Sequence, residues 1–144
     1  MTYKHFLLIM LITTSTLNDS VSAENEVIII TSNDSPEYAF NRDDVRGIFS
    51  MRIQQWGDFK ISNVYILPKS HESHIKLCKQ VLSVLPYRLQ RNWDRLIYTG
   101  TGQSPIMVET AAEMMSRIRE NPGSIGYVGR ESFDESLVRE IPIL

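Results

Sequence analysis

The stretch 121–128, which reads NPGSIGYV, most constrains how this chain can fold, because it joins an amphipathic helix to a short apolar strand. Pro122 cannot continue a helix, and Asn121 and Gly123 suit a left-handed helix end. Gly126 lies inside the strand without a side chain, which predicts that a helix, a strand or a ligand approaches the backbone there. The preceding helix carries apolar residues at the spacing of one buried face: Val108, Ala111, Ala112, Met115 and Ile118.

Residues 1–23 have the pattern of a secretory signal peptide. Lys4 and His5 give a basic start, residues 6–12 are apolar, and small residues precede the expected cleavage site after Ala23. The apolar run is about half as long as a membrane-spanning helix requires, which disfavours a membrane anchor. We therefore expect an exported protein, periplasmic or secreted, with one domain at residues 24–144.

Charge and cysteine content restrict the possible partners. The formal net charge is −2, and there is no basic run, which argues against nucleic acid as a partner because nucleic-acid binding depends on dense phosphate neutralisation. The one cysteine, Cys78, cannot form an internal disulfide. It shares a helical face with apolar residues, so we expect it to be a buried small hydrophobe.

Strand-like and helix-like patterns alternate along the chain. A β-branched run at 27–31 is typical of a central strand covered on both faces. Further strands are predicted at 63–67 and 138–144, and further helices at 42–49 with Asn41 as its cap, at 70–85 and at 87–98. This alternation predicts an α/β fold with a single open, mostly parallel sheet and helices on both faces.

Several segments occur in an order and spacing that characterise one family. They are residues 27–36, 44–49 (DVRGIF), Trp56, 67–68 (LP), Trp93, 98–102 (YTGTG) and 122–128 (PGSIGYV). With them the chain resembles the phosphate ABC transporter substrate-binding proteins, and in particular a short, single-lobe subgroup of the periplasmic binding protein-like superfamily. The family's Arg-x-Asp-Gly-Ser-Gly-Thr signature is absent, and residues 69–74 (KSHESH) stand in its place.

This resemblance implies about one lobe of a type II periplasmic binding protein. It also implies a non-enzymatic, cofactor-free, solute-binding-like module for phosphate or another small oxyanion. The implied partners are inorganic phosphate and a membrane transporter or another periplasmic protein, and a homodimer would rebuild a two-lobed cleft. The alternative is a protein-interaction or assembly module of the same fold that has lost ligand binding, which an exposed apolar patch would favour.

The start of the helix at 70–74 is the strongest candidate site in the residues themselves. Unpaired backbone N–H groups and the helix dipole attract anions there, and Lys69, Ser70 and Ser73 add donors. Ordinary capping, with Ser70 as the N-cap, accounts for the same residues without a ligand. Thr101 lies in a glycine-containing loop that either faces the anion or simply joins two helices.

The sequence gives little support for a metal or a catalytic centre. His71 and His74 lack a third nearby ligand, so we expect solvated histidines and no metal site. No nucleophile elbow, catalytic triad pattern or clustered carboxylate pair is present. Trp56 and Trp93 are expected to be anchors in the core or on the lobe surface.

Overall fold

The computed structural model describes residues 25–100 and 102–144, so the predicted signal peptide and Thr101 lie outside the described residues. The strands are β1 (Val27–Ser32), β2 (Gln55–Trp56), β3 (Phe59–Lys60), β4 (Tyr65–Ile66), β5 (Ile106–Met107), β6 (Ile125–Gly129) and β7 (Val138–Ile141). The α-helices are α1 (Arg42–Phe49), α2 (Glu72–Lys76), α3 (Pro86–Thr99) and α4 (Ala111–Glu120). A π-helical segment, Leu77–Leu82, continues α2, and a short 3₁₀-helix, Arg130–Ser132, follows β6.

Strand β1 is the centre of a three-stranded antiparallel sheet with the order β6-β1-β7. Ile29 lies opposite Tyr127 of β6 and Ile141 of β7. All six residues of β1 are buried, as its unbroken β-branched run predicts. The prediction of a central strand covered on both faces is therefore confirmed.

The prediction of a single, mostly parallel sheet is wrong. Parallel pairing is limited, in the part of the chain that the structure describes, to β4 with β5 and to two isolated bridges, of which Val64 with Ile125 joins the β4 region to β6. The strands that flank β1 are β6 and β7, which come late in the chain and are antiparallel to β1. In a mostly parallel sheet, strands that follow each other in the sequence usually lie next to each other. Local patterning marks strands but does not encode their direction.

Helices lie on both faces of this sheet. Strand β6 shows this, because its consecutive residues point to opposite faces and contact different helices. A Cβ atom at Gly126 would lie 2.5 Å from Sδ of Met114 and 2.6 Å from Cδ1 of Ile118, both on α4. On the other face, the ring of Tyr127 lies edge-on to Phe49 of α1 at 5.6 Å between centroids. The prediction that Gly126 marks a close approach is confirmed, and the approaching element is α4.

Two predicted helix ends are confirmed in their backbone geometry and hydrogen bonds. The side chain of Asn41 accepts a bond from the N–H of Asp44 at 2.9 Å, and the Asp44 carboxylate accepts one from the N–H of Asn41 at 2.8 Å. This reciprocal capping box fixes the start of α1. After α4, Gly123 has φ +84°, the left-handed conformation that favours glycine after a helix. For Asn121, the C-cap itself, the predicted left-handed conformation is wrong, because its φ is −127°.

Trp93 is part of the core. Its indole N–H donates to the carbonyl oxygen of Phe49 at 2.8 Å, which ties α3 to the end of α1. Trp56 is half-buried and lies edge-on to Phe40 at 4.9 Å between centroids. Within residues 25–100 and 102–144, no helix is long and apolar enough to cross a membrane.

Candidate ligand site at the end of strand β4

The helix that follows β4 begins later than its sequence pattern predicts. The N-cap is His71, whose Nδ1 accepts a hydrogen bond from the N–H of Ser73 at 3.1 Å, so the prediction of Ser70 as the cap is wrong. A tight turn, in which the N–H of His71 donates to the carbonyl of Pro68 at 2.8 Å, takes up Lys69 and Ser70. The ring nitrogen of a histidine can serve as the acceptor that serine or asparagine usually supplies.

The backbone donors of this helix start are largely used within the chain. Besides Ser73, the N–H groups of His74 and Ile75 both donate to the carbonyl of His71, at 3.0 and 3.1 Å. Ser73 itself is buried in the first turn. An anion here would therefore depend on side chains before the helix more than on the helix start itself.

Those side chains line a cavity of about 590 Å³ between the end of β4, helix α3 and the segment around β5. Its lining residues are Ile66, Leu67, Pro68, Lys69, Ser70, His74, Gln90, Trp93, Asp94, Ile97, Ser104, Pro105 and Met107. A volume of this order is typical of small-molecule sites. Two of the predicted site residues, Lys69 and Ser70, are thus brought together; Ser73 does not line the cavity, and Thr101 lies outside the described residues.

The polar side chains that line the cavity differ in whether they already form hydrogen bonds. The side chains of Lys69, Ser70 and Ser104 are exposed and make no hydrogen bond or ion pair with any residue that the structure describes. Asp94 accepts a hydrogen bond from Nε2 of Gln90 at 2.8 Å, one helical turn earlier. The cavity therefore offers one ammonium and two hydroxyl groups to a ligand, together with one carboxylate.

A buried hydrogen-bond network underlies the cavity, and the sequence analysis did not predict it. His74 is only 1% exposed, so the prediction of a solvated histidine is wrong. Its Nδ1 lies 2.6 Å from the Tyr127 hydroxyl, which also accepts the N–H of Leu67 at 2.9 Å. His74 shares one helical face with Cys78 and Val81, two apolar positions. This spacing is the signal from which the burial of His74 could have been predicted.

One arrangement of protons satisfies every contact of this network. In it the Tyr127 oxygen accepts from the N–H of Leu67 and donates its own hydrogen to Nδ1 of a neutral His74. The second ring nitrogen then carries the proton and faces Sγ of Cys78 at 3.7 Å. Burial, with a smaller contribution from His71, holds the pKa of His74 below its usual value, and burial raises the pKa of Tyr127.

Cys78 is buried, as predicted, and burial raises its thiol pKa to about 11. At neutral pH it is therefore a thiol rather than a reactive thiolate. Among the residues that the structure describes, no group of three His, Cys, Asp or Glu side chains is arranged to hold a metal ion.

The lowered pKa of His74 predicts a pH-dependent stability. Above about pH 6.5 the imidazole is neutral in both states, whereas below it only the unfolded chain takes up the proton until the folded pKa is reached. The free energy of unfolding should therefore fall as pH falls through this window, by at most about 1.4 kcal/mol per pH unit. Urea unfolding at a series of pH values measures the slope. His74→Gln should make it shallower, and an unchanged slope would contradict the assignment.

Among the comparisons with known proteins, the solved structures alone bear on the fold. No family model and no curated protein matches the sequence. Among solved structures, an ABC-type phosphate transport receptor from Vibrio cholerae matches at a TM-score of 0.60 and 17% identity, over 81% of this chain and 45% of that chain. PstS from Borrelia burgdorferi matches at 0.58 and 18% identity, over 81% and 46%. A Clostridium perfringens protein solved with bound phosphate matches at 0.63 and 16% identity, over 81% and 44%.

The TM-scores show a shared fold, and at identities of 16–18% the likeness shows nothing beyond the fold. The chain has a mixed α/β fold like part of those three proteins, and it spans less than half the length of each.

Proposed function

We propose that this chain is an exported solute-binding module that binds phosphate or another small oxyanion in the cavity at the end of β4. The observation that carries the proposal is the set of unengaged donors, Lys69, Ser70 and Ser104, that line this cavity. The fold supports it, because the solved structures that resemble this lobe include a phosphate transport receptor and a protein with bound phosphate. Those neighbours are binding proteins, and the module acts without catalysis or a cofactor.

Export rests on residues 1–23, which we propose are removed to leave a single domain at residues 24–144. Thr101 precedes Ser104 closely in the sequence, and we propose it as a further donor to the anion. Because Ser73 is buried with its N–H bonded to His71, its contribution is to hold the helix start in place rather than to contact the anion.

The nearby carboxylate of Glu72 does not rule out an anion in this cavity. It forms an ion pair with Lys76, with Oε1 at 2.6 Å from Nζ, one helical turn further on. The hydrogen bond and charge of Lys76 lower the pKa of Glu72, so the pair is ionised and nearly neutral together. The positive charge of Lys69, which has no such partner among the described residues, is left to the ligand.

Thermal unfolding in the presence of phosphate, sulfate or chloride at matched ionic strength tests this function. A ligand that binds only the folded state stabilises it by RT ln(1 + [L]/Kd), about 2.7 kcal/mol at a concentration of 100 Kd. We expect phosphate to raise the melting temperature at sub-millimolar concentration. Lys69→Gln should weaken this response, whereas Lys79→Gln, an exposed lysine outside the cavity, should not.

Two results would overturn the oxyanion function. One is a melting temperature that does not respond to any of the three anions. The other is an equal response to all three, with Lys69→Gln and Lys79→Gln indistinguishable, because this would indicate general screening of charge rather than a site.

A protein-interaction module of the same fold is the second candidate, and an exposed apolar rim beside the cavity favours it. Ile97 and Met107 line the cavity and are 59% and 58% exposed, and Tyr98 next to Ile97 is 93% exposed. Contiguous exposed apolar residues mark interaction sites more often than scattered ones do. Partners of the proposed kind are a membrane transporter, another periplasmic protein or a second copy of the chain.

Light scattering after size-exclusion chromatography tests the second copy. Pairing through the rim predicts a dimer that dissociates in an Ile97→Ser, Met107→Ser double variant. Phe59→Ser, which removes an exposed aromatic residue outside the cavity, should leave the dimer intact. A monomer at every concentration would exclude the homodimer and direct the search to other proteins.

A further inference from the structure

The cavity at the end of β4 contains more than an oxyanion site needs. Besides Lys69, Ser70 and Ser104 it has an accessible apolar wall of Ile97, Pro105 and Met107, behind which the ring of Trp93 is buried. Inorganic phosphate has no apolar atoms and would leave that wall in contact with water. Sites for organic ligands combine an apolar lining of this kind with a few placed polar groups.

Helix α3 supplies the opposite side of this arrangement. Gln90, Trp93, Asp94 and Ile97 follow the i, i+3, i+4, i+7 spacing of a single helical face, and all four line the cavity. The exposed Met107 continues the apolar surface from β5. A flat or branched apolar group placed between Ile97 and Met107 would gain about 25 cal/mol for each Å² of apolar surface that it removes from water.

The charges of the cavity have opposite signs. Among the described lining residues, Lys69 is the one cationic side chain at neutral pH and Asp94 the one carboxylate, since His74 is neutral. The Asp94 carboxylate accepts a bond from Gln90, and it has no ion-pair partner among the described residues. Asp94 opposes a bare dianion, but it attracts an ammonium group on the same ligand.

We infer that the preferred ligand is a zwitterionic organic oxyanion: a phosphonate or phosphate monoester with an apolar body and an ammonium group. The oxyanion lies at Lys69, Ser70 and Ser104, the apolar body contacts the exposed side chains of Ile97 and Met107, and the ammonium group pairs with Asp94. This inference rests on the proposed oxyanion function and names the substrate class of that same site. A ligand of this class contacts both the apolar wall and the carboxylate, whereas inorganic phosphate has no favourable contact with either.

Titration calorimetry with three probes separates the contributions. The probes are inorganic phosphate, phenylphosphonate, which adds a ring, and aminomethyl-phenylphosphonate, which adds a ring and an ammonium group. Burial of about 60 Å² of ring surface predicts that phenylphosphonate binds about tenfold more tightly than phosphate. An exposed pair with Asp94 predicts a further gain of about threefold for the ammonium probe.

Asp94→Asn gives the most specific test, because the two ligand classes should respond in opposite directions. The substitution should tighten inorganic phosphate by removing repulsion and weaken the ammonium probe, each by about threefold. Asp58→Asn, an exposed aspartate of the β2–β3 turn outside the cavity, should change neither Kd. Met107→Ser should weaken both ring-containing probes and leave phosphate unchanged.

The possible results distinguish a failure of the oxyanion function from a failure of the inferred ligand class. If none of the probes binds, the oxyanion function itself fails. If phosphate binds at least as tightly as both organic probes, or if Asp94→Asn changes all three affinities in the same direction, the function stands and the inferred ligand class is overturned. A third result would be that the protein sediments with phosphatidylethanolamine vesicles but does not bind the free ammonium probe. This result would overturn a soluble ligand and indicate that the site binds a lipid headgroup.

Discussion

Replacing Trp93 with alanine should lower the free energy of unfolding by about 3–5 kcal/mol, the largest effect that we expect from a single substitution. The side chain is almost fully buried between α1 and α3, so its removal leaves a cavity. It also leaves the carbonyl oxygen of Phe49 without the indole N–H that now donates to it at 2.8 Å. Urea unfolding followed by circular dichroism, which does not depend on tryptophan fluorescence, measures the loss.

Trp93→Phe separates the two contributions, because it keeps an aromatic ring and removes the donor. We expect it to lose about 1–3 kcal/mol. Arg91→Ala, on the exposed side of the same helix, is the control and should stay within about 0.5 kcal/mol of the unsubstituted chain. A loss for Trp93→Ala no larger than that of the control would contradict the position of the indole in the core.

Replacing Tyr127 with phenylalanine should lower the free energy of unfolding by about 2–4 kcal/mol, which is large for the removal of one oxygen atom. That oxygen accepts the N–H of Leu67 at 2.9 Å and lies 2.6 Å from Nδ1 of His74, and all three residues are buried. The change leaves two buried polar groups unpaired, and we take about 1–2 kcal/mol for each, the lower part of the usual cost. Denaturant unfolding near neutral pH, where His74 is neutral, measures this loss.

Tyr98→Phe provides the matched control, since the side chain of Tyr98 is exposed, and it should be nearly neutral. The double variant Tyr127→Phe, His74→Phe extends the test. If the network is the cause, replacing both polar partners by apolar rings should be less destabilising than the sum of the single variants. Strict additivity would show that the two side chains act independently.

Local features of the fold were predictable from the sequence because short-range chemistry determines them. The capping box of Asn41 and Asp44, the burial of Cys78 and the left-handed conformation of Gly123 all follow from residues within a few positions of one another. The close approach at Gly126 was also predictable, because a glycine inside an apolar strand usually marks a place where another element contacts the backbone.

The direction of the strands and the buried network were not predictable, because both depend on distant segments. Ile30 pairs with Gly126, which is far from it in the sequence. No local pattern indicates that their two strands are antiparallel. The hydroxyl of Tyr127 meets His74 and Leu67 only once β6, α2 and β4 have come together. Of the candidate site, Lys69 and Ser70 were predictable from their position before a helix, whereas the contributions of Asp94 and Met107 arise from packing.

The placement of β1 at the centre of the sheet sets the order in which this molecule can fold. Its two partners, β6 and β7, are the last strands of the described chain, so a fragment that ends before them cannot complete the sheet. Loops that must close over so many residues slow folding, and the sheet assembles late. A nascent chain would therefore lack its central sheet until both β6 and β7 have been synthesised.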